Sequence, residues 1–321
     1  MSRTIQRAAV TGAGGFIGSH LVEFLLRQDV EVVAIVRPKS SGVDGCLTNI
    51  PLPLRPGLSI LQVDILDRAS LSNALHGCDT VFHLAAQISV PDSVAAAELH
   101  LLTNTMGTFN TLCAAEESAV ERVVVVSSSE VYGGSDLSLN ESSMLTARSP
   151  YSASKIAAEK LAQAFYFSRS SPAVVVRPFN TFGPRQSDRA LIPWIFYQAM
   201  LEKSIELGNT KPIRDFVFVS DTVQGLYSAA TADEAAGKVY NLATGIGWSV
   251  TQIVEQVGLT LGRKLEIFVN QDRIRTSKYE VWTLIGDSAA AKRDLFWEPK
   301  VGFGSGLAQM RDWLLWKKGC V

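Results

Sequence analysis

Residues 8–18 read AAVTGAGGFIG, and GSHLVEFLLRQD runs on from 18 to 29. AAVTG (8–12) is short, apolar and closed by glycine, the pattern of a buried strand. In the second run Leu21, Phe24 and Leu25 fall on one side of a helix. Between the two, Gly12, Gly15 and Gly18 recur at a spacing of three. Glycine lacks a Cβ, so the chain can turn sharply there and bring backbone N–H groups close to a ligand. The N-terminus of the following helix adds partial positive charge, which suits a pyrophosphate. A glycine trio alone says little, but between a strand and a helix it marks the phosphate turn of a dinucleotide-binding unit. The expected cofactor turn is Gly12, Gly15, Phe16, Ile17 and Gly18.

Outward from this turn, strand and helix signals alternate. EVVAIVR (31–37), LSILQVDI (58–65), TVFHLAA (80–86), RVVVVSSS (122–129) and AVVVRPF (173–179) read as strands. SLSNALHGC (70–78), residues 95–118 and SKIAAEKLAQAFYFS (154–168) read as helices. Near-continuous Val/Ile/Leu strands separated by helices predict a parallel sheet covered on both faces, an α/β doubly wound fold. After about residue 180 the alternation lapses. Strands and loops are expected over 205–220 and 238–247, and helices over 250–261 and 304–317. We therefore expect a dinucleotide-binding domain over 1–180 and a smaller substrate-binding lobe over 181–321, with some elements crossing back.

The 321 residues are 47% hydrophobic and carry a formal net charge of −1. No broad attraction to nucleic acid or to an anionic membrane follows, so any anion site must be built locally. Cys46, Cys78, Cys113 and Cys320 are scattered and form no CxxC pair. They read as free thiols in a reducing compartment, with no metal site expected. The first residues lack the apolar stretch of a signal peptide, and no run approaches the roughly 18 apolar residues of a membrane span. A cytoplasmic enzyme is the expectation.

Further candidates follow from strand ends, where ligands bind in such sheets. Many dinucleotide sites have an acidic residue at the end of the second strand; here Arg37 stands there, with Lys39 beyond it. Arginine cannot accept from ribose hydroxyls but can pair with a 2′-phosphate, which favours NADP and leaves NAD open. Asp64 and Ile65 are expected near the adenine, although Asp64 could instead cap the helix that DRASL begins. Leu84, Ala85 and Ala86 complete the expected cofactor wall. VVVVSSSEVYGG (123–134) ends a buried strand at Ser128, Ser129 and Glu130, and RSPYSASK (148–155) places Tyr151 and Lys155 four apart on one helical face. An ammonium and the nicotinamide charge would lower the tyrosine pKa, so that Tyr151 takes a hydroxyl proton. Ser128 would orient that hydroxyl, and Lys155 would also hold the nicotinamide ribose. His83 reads as a hydrogen-bonded strand histidine rather than a catalyst.

TGAGGFIGSH, SSSEVYG, SPYSASK and RPFNTFGPRQ together resemble the extended short-chain dehydrogenase/reductase family that modifies nucleotide sugars on a Rossmann fold. The resemblance covers nearly the whole chain, including PIRDFVFVSDTVQGL (212–226) and GDSAAAKRDLFWEPKVGFGSGL (286–307). It implies NAD(P)-dependent oxidation at C4 of the sugar. In a 4,6-dehydratase a base then takes the C5 proton, water is lost across C5–C6, and hydride returns to C6. Glu130 matches the dehydratase base, with Ser128 in place of a threonine and Ser129 where some dehydratases have an aspartate. Glu130 would then serve as base and acid, as in GDP-mannose dehydratases, which also carry an arginine stretch like IVRPKSS and use NADP. A glutamate here also occurs in family decarboxylases. SPYSASKIAAEKLA and RPFNTFGPRQSDRALIP are similar to bacterial UDP-N-acetylhexosamine 4,6-dehydratases of the legionaminic-acid type. Asn180, Arg185, Arg214 and Arg275 match diphosphate-binding positions, with Thr276 replacing a proline. Trp194 either packs on the nucleotide base or belongs to the core, and Asn104 supports the backbone beneath the site. The resemblance thus implies a 4,6-dehydratase acting on a UDP-, GDP-, dTDP- or CDP-hexose. A 4-epimerase and a non-catalytic dinucleotide-sensing protein are the alternatives. Family members dimerise through helices matching 95–117 and 151–168, so a homodimer is expected.

Overall fold

Valine runs make the centre of the sheet: Val123–Val126 and Val174–Val176 are buried between helical layers, where β-branched side chains pack well. The computed structural model describes residues 3–38, 45–202, 204–271, 280–317 and 319. Lys39, Arg275, Thr276 and Cys320 lie outside the described residues. Six strands come from the first half: β1 (Arg7–Thr11), β2 (Glu31–Val36), β3 (Leu58–Gln62), β4 (Thr80–His83), β5 (Arg122–Val126) and β6 (Ala173–Pro178). The second half adds β7 (Asn180–Phe182), β8 (Ser204–Leu207), β9 (Ile213–Phe218), β10 (Val239–Leu242), β11 (Gly247–Ser249), β12 (Glu266–Val269) and β13 (Thr283–Leu284). The main sheet is parallel and seven-stranded, in the order β3-β2-β1-β4-β5-β6-β10. Ala8 and Val10 face one core and Ala9 the other, as the period of two requires. The order reverses between β1 and β4, which opens a crevice at their carboxyl ends.

Helices α1 (Phe16–Leu26), α2 (Arg68–Leu75), α3 (Val90–Ala95), α4 (Ala97–Leu101), α5 (Gly107–Glu117) and α6 (Pro150–Arg169) belong to the first half. The single helix expected over 95–118 is broken by a π-helical turn at Leu102–Met106. The wider turn brings Asn104 into the protein, where Oδ1 accepts from Gln87 N at 2.7 Å and Nδ2 donates to Ser154 Oγ at 2.8 Å. Helix α6 starts at Pro150, four residues before the SKIAAEKLAQAFYFS run, so that Tyr151 and Lys155 share it as RSPYSASK leads one to expect. Ser149 caps it, accepting from Ser152 N at 3.1 Å, and proline suits the first helical position. Tyr151 therefore lies in the first turn.

The second half contributes α7 (Leu191–Leu201), α8 (Val219–Thr231), α9 (Val250–Thr260), α10 (Ala289–Leu295) and α11 (Phe303–Lys317). β7, β11 and β13 all pair with β9 in a small sheet, and β8 pairs with β12. The crossing elements are α8, which packs on α1, β5 and β6, and β10, which is the seventh strand of the main sheet. The expected division at 180 falls at the start of β7, two residues after β6 ends. Among the described residues no helix is long and apolar enough to cross a membrane, and no group of three His, Cys, Asp or Glu could hold a metal ion.

Candidate active site

A cleft of about 880 Å³ lies at the carboxyl ends of the strands, between the main sheet and the second lobe. Its floor is the glycine turn. Gly12 has φ +71°, and a Cβ there would stand 2.8 Å from Ala85 N. A Cβ on Gly18 would stand 2.3 Å from Gly12 O, so turn and helix approach as only glycine permits. Gly15 is the N-cap of α1 and supplies no side-chain cap, which leaves the first-turn N–H groups available to an anion. Gly12, Gly15, Phe16, Ile17 and Gly18 all line the cleft, as do Leu84, Ala85 and Ala86, which leave the sheet once β4 ends at His83. This cradle fits a dinucleotide pyrophosphate. Arg37, exposed at the end of β2, lines the same cleft.

Gly45 also lines it, a position that sequence reasoning missed. Cys46 N donates to Gly14 O at 3.0 Å, so the short turn at Gly45–Asn49 is docked on the glycine loop. Asp64 and Ile65 are not among the lining residues. Exposed Asp64 accepts from Leu66 N at 2.9 Å, and buried Ile65 packs against Gly107. Nor does Asp64 cap α2; Asp67 does, accepting from Ser70 N at 3.2 Å.

The residues expected to transfer protons converge on one wall. β5 ends at Val126, and Ser128 caps the following turn by accepting from Glu130 N at 3.2 Å. Ser128, Ser129, Glu130, Tyr151 and Lys155 all line the cleft. The Ser128 hydroxyl stands close enough to the Tyr151 phenol to pull its pKa down. Lys155 Nζ donates to Val126 O at 2.7 Å. Burial pulls the Lys155 pKa down to about 8 against the upward pull of Glu159. Burial pushes the Tyr151 phenol up to about 12, with no lowering from Lys155; the lowering expected from the nicotinamide charge belongs to the site with cofactor bound. Burial of the phenol is the largest cause and the Glu130 charge adds to it, while the Ser128 hydroxyl opposes both. The Lys155 ammonium is turned to the Val126 carbonyl instead. His83 is hydrogen-bonded through both ring nitrogens, to Thr11 Oγ1 at 2.8 Å and Thr108 Oγ1 at 3.1 Å. Burial, with Lys155 nearby, holds its pKa down at about 3, so it stays neutral as a strand histidine.

On the side of the second lobe Asn180 and Arg214 line the cleft. Arg214 Nη1 donates to Ile213 O at 3.1 Å, and Nη2 stands 3.9 Å from Glu280. Arg185 points elsewhere: it pairs with Glu23 and donates to Ser19 O at 3.2 Å. His20 Nε2 contacts Pro184 O at 2.8 Å, so this loop is tied to α1. Trp194 is also outside the lining; it packs on the core, and its Nε1 reaches Glu206 O at 3.5 Å. Trp248 and Phe216, not anticipated, line the lobe side. Trp248 is the cross-strand partner of Arg214 and stacks on Phe303 at 4.6 Å. Alternation in RDFVF (214–218) places Arg214 and Phe216 on one face and could have flagged the second.

The family model described as GDP-mannose 4,6 dehydratase matches residues 9–310. The dTDP-glucose 4,6-dehydratase of Neisseria gonorrhoeae is 32% identical, over 95% of this chain and 94% of that protein. The structure of the dTDP-glucose 4,6-dehydratase DesIV from Streptomyces venezuelae, solved with NAD bound, superposes with a TM-score of 0.87 at 31% identity, covering 98% of each chain. The UDP-N-acetylglucosamine 4-epimerase of Methanobrevibacter ruminantium M1 superposes with a TM-score of 0.86 at 27% identity, covering 98% of this chain and all of the other.

Proposed function

This chain belongs to the GDP-mannose 4,6-dehydratase family, and from that premise we propose that it converts a nucleotide-activated hexose into a 4-keto-6-deoxy sugar nucleotide. The observation that carries the reading is Glu130. It lines the cleft two residues after Ser128, and its charge acts on Tyr151. A 4-epimerase needs no such carboxylate beside its Ser/Tyr/Lys set.

The glycine turn, Leu84–Ala86 and Arg37 hold NAD(P), and the Arg37 guanidinium favours the 2′-phosphate of NADP. When bound, the dinucleotide supplies the acceptor that takes a hydride from C4 of the sugar and returns it at C6. Tyr151 accepts the C4 hydroxyl proton, and Ser128 orients that hydroxyl. The C4 ketone makes the C5 proton acidic, and Glu130 removes it. The same carboxyl group gives that proton to the C6 hydroxyl, which leaves as water while Ser129 holds it. A solvent proton relayed through Glu130 then adds at C5 as the hydride returns to C6, and Tyr151 releases its proton to solvent. Arg214 and Asn180 bind the diphosphate, with Trp248 and Phe216 beyond them. A second reading, 4-epimerase, is favoured by one observation: Ser128, Tyr151 and Lys155 suffice for it. The same intact set argues against a non-catalytic sensor.

Incubation with UDP-, GDP-, dTDP- and CDP-hexoses in heavy water, read by mass spectrometry, tests this. Loss of one water with deuterium at C5 is the expected result; an isomer of unchanged mass means an epimerase. We also propose a homodimer built on α4–α5 and α6, which expose Leu99, Leu101, Met106 and Phe167. A monomer mass by light scattering would refute it.

A further inference from the structure

Beneath Lys155 the polar site continues into the protein. Glu159 lies one turn further along α6, so Tyr151, Lys155 and Glu159 form one helical stripe. Glu159 is fully buried, and Arg177 on β6 is almost so. Arg177 Nη2 donates to Glu159 Oε2 at 2.7 Å, and Nε donates to Oε1 at 2.9 Å. The Ser127 hydroxyl also donates to Oε1. Arg177 Nη1 donates to the Tyr132 hydroxyl at 2.8 Å, which donates to Asn241 Oδ1 at 2.7 Å. Asn241 Nδ2 in turn donates to Leu139 O at 3.0 Å.

A buried ion pair is costly to desolvate, and apolar residues of equal volume often hold a fold as well or better. Stability alone therefore does not account for this pair, but its place does. Consecutive residues at the end of β5 receive both side chains of α6: Val126 O takes the Lys155 ammonium, and Ser127 Oγ meets the Glu159 carboxylate. The carboxylate is thus fixed one turn from the ammonium, with its own position set by two strands.

We propose that Glu159, held by Arg177 and Ser127, is a positioning residue for the Tyr151–Lys155 pair: it locks α6 in register on β5 and β6 and fixes a carboxylate one helical turn from the Lys155 ammonium. The titratable groups around the stripe agree. On α6 they are Tyr151 and Glu159. His83 on β4 is neutral. Glu130, in the turn after β5, acts on Tyr151. Tyr132 in that turn and Arg177 on β6 hydrogen-bond each other. The segment joining α4 to α5 meets α6 with Asn104 and Thr105, which carry no charge. Burial pulls the Lys155 pKa down, and Glu159 opposes it.

The role as positioner rests on the dehydratase reading only for its activity assay, so a second readout is independent of turnover. The Nζ resonance of Lys155, in ¹⁵N-lysine-labelled protein without ligand, is titrated and assigned through Lys155→Arg. Its midpoint is expected near pH 8 in the wild type. In Glu159→Gln it should fall by about one pH unit or more. The alkaline limb of kcat should follow, with KM changed less than about twofold. Glu159→Asp keeps the charge on a shorter stem: kcat should fall at every pH while the midpoint stays. The double variant Glu159→Leu with Arg177→Met removes both charges and leaves neither partner unpaired. It carries the test if the single variant does not fold, and its midpoint should also fall. An unmoved midpoint in every folded variant that lacks the carboxylate would overturn the proposal. If the midpoint shifts but wild-type protein dehydrates no sugar, the dehydratase reading fails and this one stands.

Discussion

Glu130 and Tyr151 face the same cleft, and the charge of one raises the proton affinity of the other. Glu130→Gln should remove the C5 base and lower dehydration by about 10²–10⁴-fold, while nucleotide-sugar binding measured by calorimetry stays close to wild type. An unchanged rate would make Glu130 a bystander. Two histidines make the ligand-free fold sensitive to acid. Burial holds His20 down at about 4 and His83 at about 3, both from an ordinary 6.5. Between 6.5 and those values the unfolded chain binds more protons than the folded one, so stability falls as pH falls through that window. Thermal melts at pH 7.5 and 5 should show the loss, and His20→Gln should reduce it. Ser128, Glu130, Tyr151 and Lys155 were legible in sequence because their spacing is local: a strand end and one helical turn. Arg185 and Trp194 were not. A long side chain points where its partner is, and Glu23 lies 162 residues from Arg185.

At the scale of elements, the start of α6 matters most, because Tyr151 is in its first turn. Ser149→Ala deletes the cap and should cost about 1 kcal/mol of stability in urea unfolding. The kcat should fall more than the KM rises, since fraying there displaces the phenol. Asn104→Ala should likewise lower kcat, through the lost bond to Ser154. Strand and helix types were readable from periodicity throughout, but their limits were not. β4 ends at His83 although apolar residues run on to Ala86, because Leu84–Ala86 wall a cleft instead of joining a ladder. The π turn at Leu102–Met106 escaped for a different reason. It stretches one turn of a helix whose apolar spacing remains helical on both sides.

At the scale of the molecule, chain order and spatial order diverge after residue 180. β10 hydrogen-bonds along β6 and completes the main sheet, and α8 covers β5 and β6. A chain stopped at 180 would expose an unpaired edge and a bare face of the sheet, so it should aggregate and show no cooperative melt by circular dichroism. The sequence announced crossing elements but not which ones, since a valine-poor strand such as VYNL (239–242) differs little from a loop. The two halves of the chain are also joined directly: Ser135 N donates to Thr283 O at 3.0 Å, and Leu139 N donates to Ile285 O at 2.9 Å. Anyone grafting the second half of a relative onto the first half of this chain would therefore inherit a sheet with a strand from each parent. Exchange of single loops at the mouth is the route to altered specificity; recombination at the apparent midpoint of the gene is not.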